Sequence, residues 1–266
     1  LVATDTMSDS LIDALFANTV VGNLAGLTFD GLVGNVTVPR VAGKSGVTWI
    51  NPETGTTTES DPTFDAVTLK PCYAVGKSVI TYSMQKQSSI ALDAFLEKHL
   101  AQCLGEALDY AFINGKSADG QPVGILNAGI GSVSAGGAAL TYAKVLELIK
   151  KVKKNNVDGA NVSFLTNPDV EAQLSATPTI AGVLSQMVWQ DGADGIGRIK
   201  GRPAYVSTNV PSNLGAGTNQ SALICGDFSQ TILGLWSGME LRLDPYTSAD
   251  NGSLIVRAFY PVDFNV

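Results

Sequence analysis

Apolar and polar residues alternate between positions 33 and 83, which is the period of a β-strand with one buried face. The alternating runs are rich in β-branched and aromatic residues and lie at 36–38, 47–49, 67–69 and 73–82. Residues 51–62 contain no large apolar side chain, so they predict a loop at the tip of a long β-hairpin. A long hairpin is only marginally stable alone in water, and the neighbouring sequence offers nothing to cover it.

A helical spacing follows at 88–114, where apolar residues recur at steps of three and four. Ser88 or Ser89 caps this helix and Asn114-Gly115 ends it, which gives a rod of roughly 35–40 Å. Two shorter helices are predicted at 141–155 and at 168–174. Another short helix, ending near Gly22 or Gly26, is predicted by four apolar residues at helical spacing: Leu11, Ile12, Leu15 and Phe16.

The remaining strands are short and concentrated in the last third of the chain. A buried strand begins at Phe164-Leu165, and Asn167 then caps the helix that follows it. Residues 177–200 are predicted to be irregular because they are rich in glycine. Later strands are predicted at 204–207, 222–225, 231–235, 240–243 and 254–259. Helices and strands segregate more than they alternate, which predicts an α+β fold.

The composition suggests that much of the outer surface is covered by other chains. The 266 residues suffice for one large core or two modest ones, and 45% of them are hydrophobic, which excludes a disordered protein. Charged residues make up only 15%, against about 25% in typical domains. With 28 glycines and many other small residues, the chain carries little solvating charge.

The net charge and the cysteine content argue against several classes of protein. The net charge of −7 argues against a free-standing nucleic-acid binder, because an acidic chain repels phosphate at long range. No run reaches the ~18 apolar residues of a membrane span. Three widely spaced cysteines argue against a disulfide framework and fit a reducing compartment. The chain starts at Leu1 without a methionine or a signal-peptide pattern.

The sequence contains no convincing catalytic, cofactor-binding or metal-binding motif. His99 is the only histidine, and the three cysteines give no C-x-x-C or H-x-x-x-H spacing, so we expect a structural role for it and no zinc site. Residues 191–201 miss both the dinucleotide and the EF-hand patterns and predict a mobile loop. The lysine-rich run 150–154 predicts a solvated helix end more than a nucleic-acid contact. An enzyme would have to use scattered aspartates and serines.

The amino-acid sequences of several short stretches, and the order in which they follow each other, resemble those of the major capsid proteins of tailed bacteriophages, the Hong Kong 97 fold family. After the long helix, 109–115 (Asp-Tyr-Ala-Phe-Ile-Asn-Gly) and 121–126 (Gln-Pro-Val-Gly-Ile-Leu) are similar to one block of the family. Further similar stretches lie, in the family's order, at 164–168, 201–207, 210–211, 224–229, 238–244 and 255–259. Each is weak alone, and their common order makes the resemblance strong.

The resemblance implies an α+β, Hong Kong 97-like capsid fold. It divides the chain into an N-terminal arm (1–32), an extended hairpin called the E-loop with its return strand (33–83), a peripheral domain with a spine helix (84–124), an axial domain (125–222) and strands returning to the peripheral domain (223–266). It implies a structural subunit, not an enzyme, that assembles through pentamers and hexamers into an icosahedral head enclosing double-stranded DNA. No cofactor is implied.

The resemblance also implies where subunits touch and what else they meet. The expected inter-subunit residues are Lys44, Trp49, Asn51, Glu53 and Asp61 around the hairpin, and Trp189, Asp191 and Arg198 towards the ring centres. The implied partners are other copies in head-to-tail rings, a scaffolding segment or protein, and portal and decoration proteins. DNA is enclosed without sequence-specific binding, no membrane is involved, and assembly takes place in the bacterial cytoplasm.

Two features of the family are weighed against this sequence. Some members cross-link an E-loop lysine to a neighbouring asparagine, but the matching position falls near Asp65 or Ala66, so we predict no isopeptide bond. The start at Leu1 is compatible with proteolytic removal of a scaffolding segment and equally with a disordered terminus. The alternative to a phage head is the shell of an encapsulin nanocompartment, which shares the fold and encloses enzymes.

Overall fold

A computed structural model of the chain describes residues 20–24, 26–49, 59–87, 92–157, 161–180, 186–215, 217 and 219–265. The apolar residues from Leu11 to Phe16 that predict the first helix, the cap at Ser88 or Ser89, and the predicted contact residues Asn51 and Glu53 lie outside these ranges. The helices are α1 Val21–Leu24, α2 Tyr82–Gln87, α3 Leu92–Asn114, α4 Tyr142–Lys154 and α5 Pro168–Ser175. The first strands are β1 Leu27–Phe29, β2 Val36–Gly43, β3 Thr63–Leu69, β4 Cys72–Ile80, β5 Ser163–Thr166 and β6 Trp189–Asp191. The later strands are β7 Gly197–Ile199, β8 Arg202–Val206, β9 Leu223–Gly226, β10 Ile232–Leu235, β11 Glu240–Asp244 and β12 Leu254–Asn265.

The strands form two five-stranded sheets and one two-stranded hairpin. In the β12 sheet, the long closing strand pairs with β4 along one edge and with β11 and then β10 along the other, and β1 joins β10 in parallel. The β5 sheet has the order β6-β7-β8-β5-β9. The β2–β3 hairpin stands apart from both, with an antiparallel register from Val36–Leu69 to Gly43–Thr63.

Helix α3 connects two of the three hydrophobic cores. Its first half packs Leu96, Leu100 and Leu104 on β4 and β12, and we call this the α3 core. Its last turn contributes Phe112 and Ile113 to the central core, where Phe112 meets Phe264 edge to face at 5.4 Å. The α4 core, between α4, α5 and one face of the β5 sheet, is a separate cluster. Helix α3 therefore packs on the β12 sheet along its first half and, at its end, joins the central core that includes residues of both five-stranded sheets.

The contacts at the end of α3 explain why the stretch 121–126 contains a glycine at position 124. The Gly115 nitrogen donates to the Ala111 carbonyl at 2.7 Å, and the Gly124 nitrogen donates to the Gly115 carbonyl at 2.9 Å. A Cβ on Gly124 would lie 2.4 Å from the Gly115 nitrogen, which no side chain tolerates. Glycine is therefore required where the returning chain crosses the helix end, and it brings Ile125 into the central core.

Most predicted elements are confirmed, and one predicted strand is wrong. Residues 47–49 alternate in polarity, yet β2 ends at Gly43 and 44–49 have no regular secondary structure. Pro62, on the other arm of the hairpin, has no N–H to donate to a ladder. The Gly46 nitrogen donates instead to the Ser60 hydroxyl at 3.0 Å. A strand needs a partner backbone, and alternation alone does not supply one.

The prediction that 177–200 is irregular is also wrong in part. This segment contains β6 and β7, which pair with each other as a small hairpin from Trp189–Ile199 to Asp191–Gly197. Each strand has three residues, too few to give a periodic signal. The closing strand is longer than predicted, because β12 continues past 259 to Asn265 and there pairs with β10.

The connection between β11 and β12 gives a pH-dependent prediction. Asp244 accepts hydrogen bonds from the Thr247 hydroxyl and, at 2.7 Å, from Arg257, and from the backbone nitrogens of Tyr246 and Thr247. The Thr247 hydroxyl first, and then the Arg257 guanidinium, hold the pKa of Asp244 below its ordinary value. A depressed folded-state pKa gives stability that is present above the unfolded pKa of about 4 and is lost as the pH falls.

Asp244→Asn is therefore expected to lower the Tm by a few degrees at pH 7, and the difference should begin to shrink as the pH falls below about 4 and shrink further as the pH approaches the folded-state pKa of Asp244. The measurement is the Tm of both unassembled subunits between pH 3 and 7. Asp250→Asn, in the same connection, is the control and should leave the Tm nearly unchanged. A difference that is constant across this pH range would contradict the role given to the ionised carboxylate.

Candidate functional site

The base of the β2–β3 hairpin is fixed firmly to the body of the molecule. Leu69 is fully buried and packs closely on Gly234 of β10. A Cβ added to Gly234 would lie only 3.1 Å from the Leu69 Cδ1 atom. The Lys70 nitrogen donates to Asp263 of β12 at 2.8 Å. The Trp236 indole nitrogen donates to the Gly34 carbonyl at 2.6 Å. The hairpin therefore leaves the body in a defined direction.

Beyond its base, the hairpin presents one fully exposed and largely uncharged face. Directly opposed residues of an antiparallel pair point to the same side, so alternate pairs define each face. We call the exposed one the free face; its members are Thr37, Pro39, Val41, Phe64, Ala66 and Thr68. Phe64 is 71% exposed and Val41 is 63% exposed. A two-stranded ribbon with its apolar side chains in water is at most marginally stable, which indicates a missing partner.

A second uncovered apolar surface lies on the β12 sheet. One side of this sheet packs on α3, and the other, which we call the outer sheet face, carries Tyr73, Val75, Lys77 and Val79 of β4 beside Phe259 of β12. Tyr73 is 66% exposed, and Val75 and Val79 are about half exposed. Arg242 of β11 lies 5.3 Å above the Phe259 ring.

The structure places three of the predicted hairpin contact residues in one exposed region. Lys44 and Trp49 lie in the coil after β2, and Asp61 lies in the coil before β3. Trp49 is 94% exposed, so its indole contacts almost nothing in its own chain. An indole in water is costly, and it is the residue type most enriched where chains bind each other.

The other three predicted residues belong to the β6–β7 hairpin in a different sheet. Asp191 and Arg198 are exposed, and Arg198 pairs with Asp194 at 2.9 Å. The Arg198 hydrogen bond holds the pKa of Asp194 below its usual value. Trp189 is only 4% exposed and donates from its indole nitrogen to Asp191 at 3.0 Å. Its ring packs directly against Gly197 of the paired strand and thereby stabilises the β6–β7 hairpin.

The outer sheet face and Phe64 are candidate contact residues that the sequence analysis did not select. The available signal was the alternation at 73–82, which placed Tyr73, Val75 and Val79 on one side of a strand. That pattern normally marks the buried side. Which of the two sides α3 would cover depends on Gly76, where a Cβ would meet the Leu100 side chain at 3.2 Å.

A groove beside α4 and α5 contains few reactive side chains. Its volume is about 750 Å³, and it lies between the Gly-rich loop 130–138, α4, α5 and residues 219–225. Among the described residues that line it, Lys144 and Asp169 are the charged ones. Burial raises the pKa of its Cys225 thiol to about 12, so the thiol stays protonated and weakly nucleophilic at neutral pH. Within the described ranges, no three His, Cys, Asp or Glu side chains cluster as metal ligands. None of the described helices combines the length and apolarity that a membrane span requires.

His99 occupies a structural position on α3. Its ring stacks on Phe95 at 5.8 Å between centroids, and its Nε2 lies 3.7 Å from the Cys103 sulfur one turn later. Burial, more than the nearby Glu106, raises the pKa of the Cys103 thiol. This arrangement agrees with the structural role expected from the sequence.

Comparisons with known proteins place this architecture among viral shells. The model of the phage capsid family matches residues 1–266. The major capsid protein of Halomonas phage phiHAP-1 is 26% identical over 271 residues, covering all of this chain and 42% of that protein. The chain therefore spans less than half the length of this curated relative.

Solved structures show the same fold at low sequence identity. The capsid of a native GTA particle is 17% identical with a TM-score of 0.75, covering 99% of this chain and 92% of that chain. A Microbacterium phage Oxtober96 structure is 17% identical with a TM-score of 0.74, covering 99% and 90%. The capsid of Myoviridae phage XM1 is 15% identical with a TM-score of 0.70, covering 98% and 92%.

These matches confirm the fold predicted from the sequence, an α+β capsid fold of the Hong Kong 97 type. They are to phage and GTA capsids, which does not favour the encapsulin alternative. The match to the family model extends over the entire sequence, from the first residue to the last. The chain belongs to the phage capsid family.

Proposed function

We propose that this chain is the major shell subunit of a tailed phage, which assembles through pentamers and hexamers into an icosahedral head around double-stranded DNA. The observation that carries the proposal is a pair of uncovered apolar surfaces, the free face of the hairpin and the outer sheet face, in a member of a capsid family. A monomeric protein rarely exposes such surfaces without a partner. Its role is structural and not enzymatic.

The first proposed contact joins the free face of one copy to the outer sheet face of another. Both surfaces carry exposed apolar side chains, Phe64 on one and Tyr73 and Val75 on the other. The register also places Arg257 of β12 and Arg242 of β11 level with Lys77, so a row of basic residues crosses the outer sheet face. The coil that leads into β3 carries exposed Glu59 and Asp61, and the outer sheet face carries Lys77. These opposite charges favour an arrangement in which the hairpin crosses the neighbour's sheet. Residues 33–83 then act as the E-loop.

The second proposed contact is in the rings. Residues 125–222 form the axial domain, and the exposed Asp191 and Arg198 of the β6–β7 hairpin meet neighbouring copies near the ring centre. Trp189 contributes by fixing the hairpin and not by touching a neighbour, because its side chain is buried in its own chain. Head-to-tail contacts of this kind close into rings by rotation.

The contacts must be individually weak for the shell to correct its errors. An association free energy of about −4 to −8 kcal/mol per contact corresponds to millimolar to micromolar affinity. Two surfaces that combine exposed apolar side chains with exposed charges suit this range, because exposed ion pairs add at most about 1 kcal/mol each. The shell is held by the number of such contacts, without an isopeptide bond.

The further partners follow from the same role. A scaffolding segment or protein guides assembly, residues 1–32 act as an N-terminal arm, and portal and decoration proteins complete the head in the bacterial cytoplasm. The net charge of −7 favours a shell that encloses DNA without binding a particular sequence.

The decisive experiment is to express the full chain and measure its sedimentation and its appearance in the electron microscope. We expect megadalton particles that are icosahedral shells of one size class. The same experiment with the other head proteins of the same virus present covers a requirement for scaffolding. A chain that stays monomeric in both settings at high concentration would contradict the proposed function.

A further inference from the structure

Most of the buried polar side chains in the described ranges lie along one connected path. Six polar side chains are buried in the described part of the chain, and five of them belong to the path. The five, which we call the polar path, are Asp109, Asn209, Ser207, Thr166 and Asn167. Buried polar groups are costly unless they are satisfied, so their concentration along one line requires a reason.

The path begins where the N-terminal segment meets α3. Asp109 is fully buried on α3, and its Oδ1 accepts a hydrogen bond from the Val20 nitrogen at 2.8 Å. Its Oδ2 accepts one from Asn209 Nδ2 at 3.2 Å. One carboxylate therefore ties together segments that are 89 and 100 residues away from it in sequence.

The path continues from the central core through the β5 sheet. The Asn209 nitrogen donates to the Ser207 hydroxyl at 3.2 Å, and the Ser207 nitrogen donates to the Thr166 carbonyl at 2.9 Å. Thr166 is the last residue of β5, and its hydroxyl donates to the Ala222 carbonyl at 3.1 Å. The path thus crosses from the side of the sheet that faces α3 towards the side that carries the helices α4 and α5.

The path ends at the start of α5. Asn167 accepts from the Val170 nitrogen at 3.0 Å, which caps the helix, and donates to the Ser221 hydroxyl at 2.9 Å. Val170 and Leu174 of this helix belong to the α4 core. The two ends of the path are therefore an N-terminal attachment point and a helix in a different hydrophobic core.

We propose that the polar path is a joint that fixes the orientation of the β5 sheet and α5 relative to α3, and that couples this orientation to the attachment of the N-terminal segment at Val20. Apolar contacts are not directional, so packing alone lets two cores rotate against each other. Hydrogen bonds are directional, and breaking one inside the protein leaves a buried donor or acceptor unsatisfied. Rotating the β5 sheet away from α3 breaks the Asn209–Asp109 bond and weakens the hold on Val20.

Coupling of this kind has a consequence for assembly, and this consequence rests on the proposed function. Breaking the Val20–Asp109 hydrogen bond during assembly would loosen the joint and free the axial side to adapt to a ring of five or six. The joint itself is a property of the single chain and is tested on unassembled subunits.

The test is hydrogen exchange, followed by mass spectrometry, on full-length subunits carrying Asn167→Ala. This variant removes the far end of the path, and we expect exchange of the peptide covering residues 20–24 to become about five- to tenfold faster. Leu174→Ala is the matched control, because Leu174 lies on α5, the helix that Asn167 caps. Its side chain is fully buried in the α4 core and does not belong to the polar path. Its effect should be confined to the α4 core or be equal throughout the chain.

A residue swap tests the central link. Asp109→Asn and Asn209→Asp should each accelerate exchange at 20–24, and the double variant should recover protection because it restores an amide–carboxylate pair with the roles reversed. If Asn167→Ala does not fold, Ser207→Ala replaces it, since it removes one acceptor and leaves the α5 cap in place. Two results would overturn the proposal. One is an exchange rate at 20–24 equal to that of the wild type in folded Asn167→Ala or Ser207→Ala subunits. The other is an exchange rate at 20–24 in the double variant that is as fast as in the two single variants.

Discussion

Phe64→Lys is expected to leave the subunit folded and to abolish shell formation. Phe64 is 71% exposed in the single chain, so a lysine there changes the stability of the subunit by less than about 0.5 kcal/mol. In the proposed contact the same position faces Tyr73 and Val75 of a neighbour. An unpaired charge pressed against these side chains costs several kcal/mol, which is comparable to the whole contact of about −4 to −8 kcal/mol.

The measurement compares the sedimentation of three full-length proteins. Phe64→Leu is the matched control, because it keeps an apolar side chain of similar reach and should still form shells. Val75→Glu changes the other side of the proposed contact and should also prevent assembly. Mixing Phe64→Lys subunits with Val75→Glu subunits brings opposite charges together in part of the contacts, so partial recovery of particles is expected.

Two results would show that the pairing of these surfaces is wrong. The first is a normal shell from Phe64→Lys, because no apolar contact can bury a lysine at its centre without loss. The second is failure of the mixed sample when each single variant is folded, which would separate the two surfaces from each other. Circular dichroism and the Tm of each subunit establish that the variants are folded.

The sequence predicts those parts of this molecule that depend on local signals. Helix α4 and the strand–cap–helix unit at Asn167 were predicted from spacing and capping, because both act over a few residues. The wrong strand at 47–49 shows the limit of such signals. Its side chains alternate correctly, but the ladder between the two arms ends at the Gly43–Thr63 pair, next to Pro62, which has no N–H to continue it.

The candidate site was predictable only in part, for a related reason. The exposed hairpin followed from a polar loop between alternating runs, and Trp49 is exposed as expected. Trp189 was expected at a surface, and its burial depends on Gly197, eight positions later, leaving room for the indole ring. The polar path joins residues about 100 positions apart through Asp109, so no local pattern could have indicated it.

Gly124→Ala is expected to destabilise the subunit by about 3 kcal/mol, because the added methyl group has nowhere to go. The atoms it would meet are backbone atoms at 2.4–2.7 Å, the nitrogens of Gly115 and Asn114 and the carbonyl oxygen of Ala111. None of them can rotate aside as a flexible side chain would, so the chain must pull away from the end of α3. Ile125, which is 2% exposed, then withdraws from the central core, and the contact between the two sheets weakens.

The measurement for Gly124→Ala is the urea midpoint of the unassembled subunit, followed by its yield of shells. Gly131→Ala is the control, since a Cβ there meets nothing within 4 Å and its φ is not in the left-handed region. The control should be unchanged or slightly more stable, because alanine restricts the unfolded chain more than glycine does. A midpoint for Gly124→Ala equal to that of Gly131→Ala would mean that the helix end and the returning chain can separate freely. The glycines at 115 and 124 would then have no steric reason in this chain, whereas a selective loss would show that Gly124 is needed for the close contact between the returning chain and the end of α3.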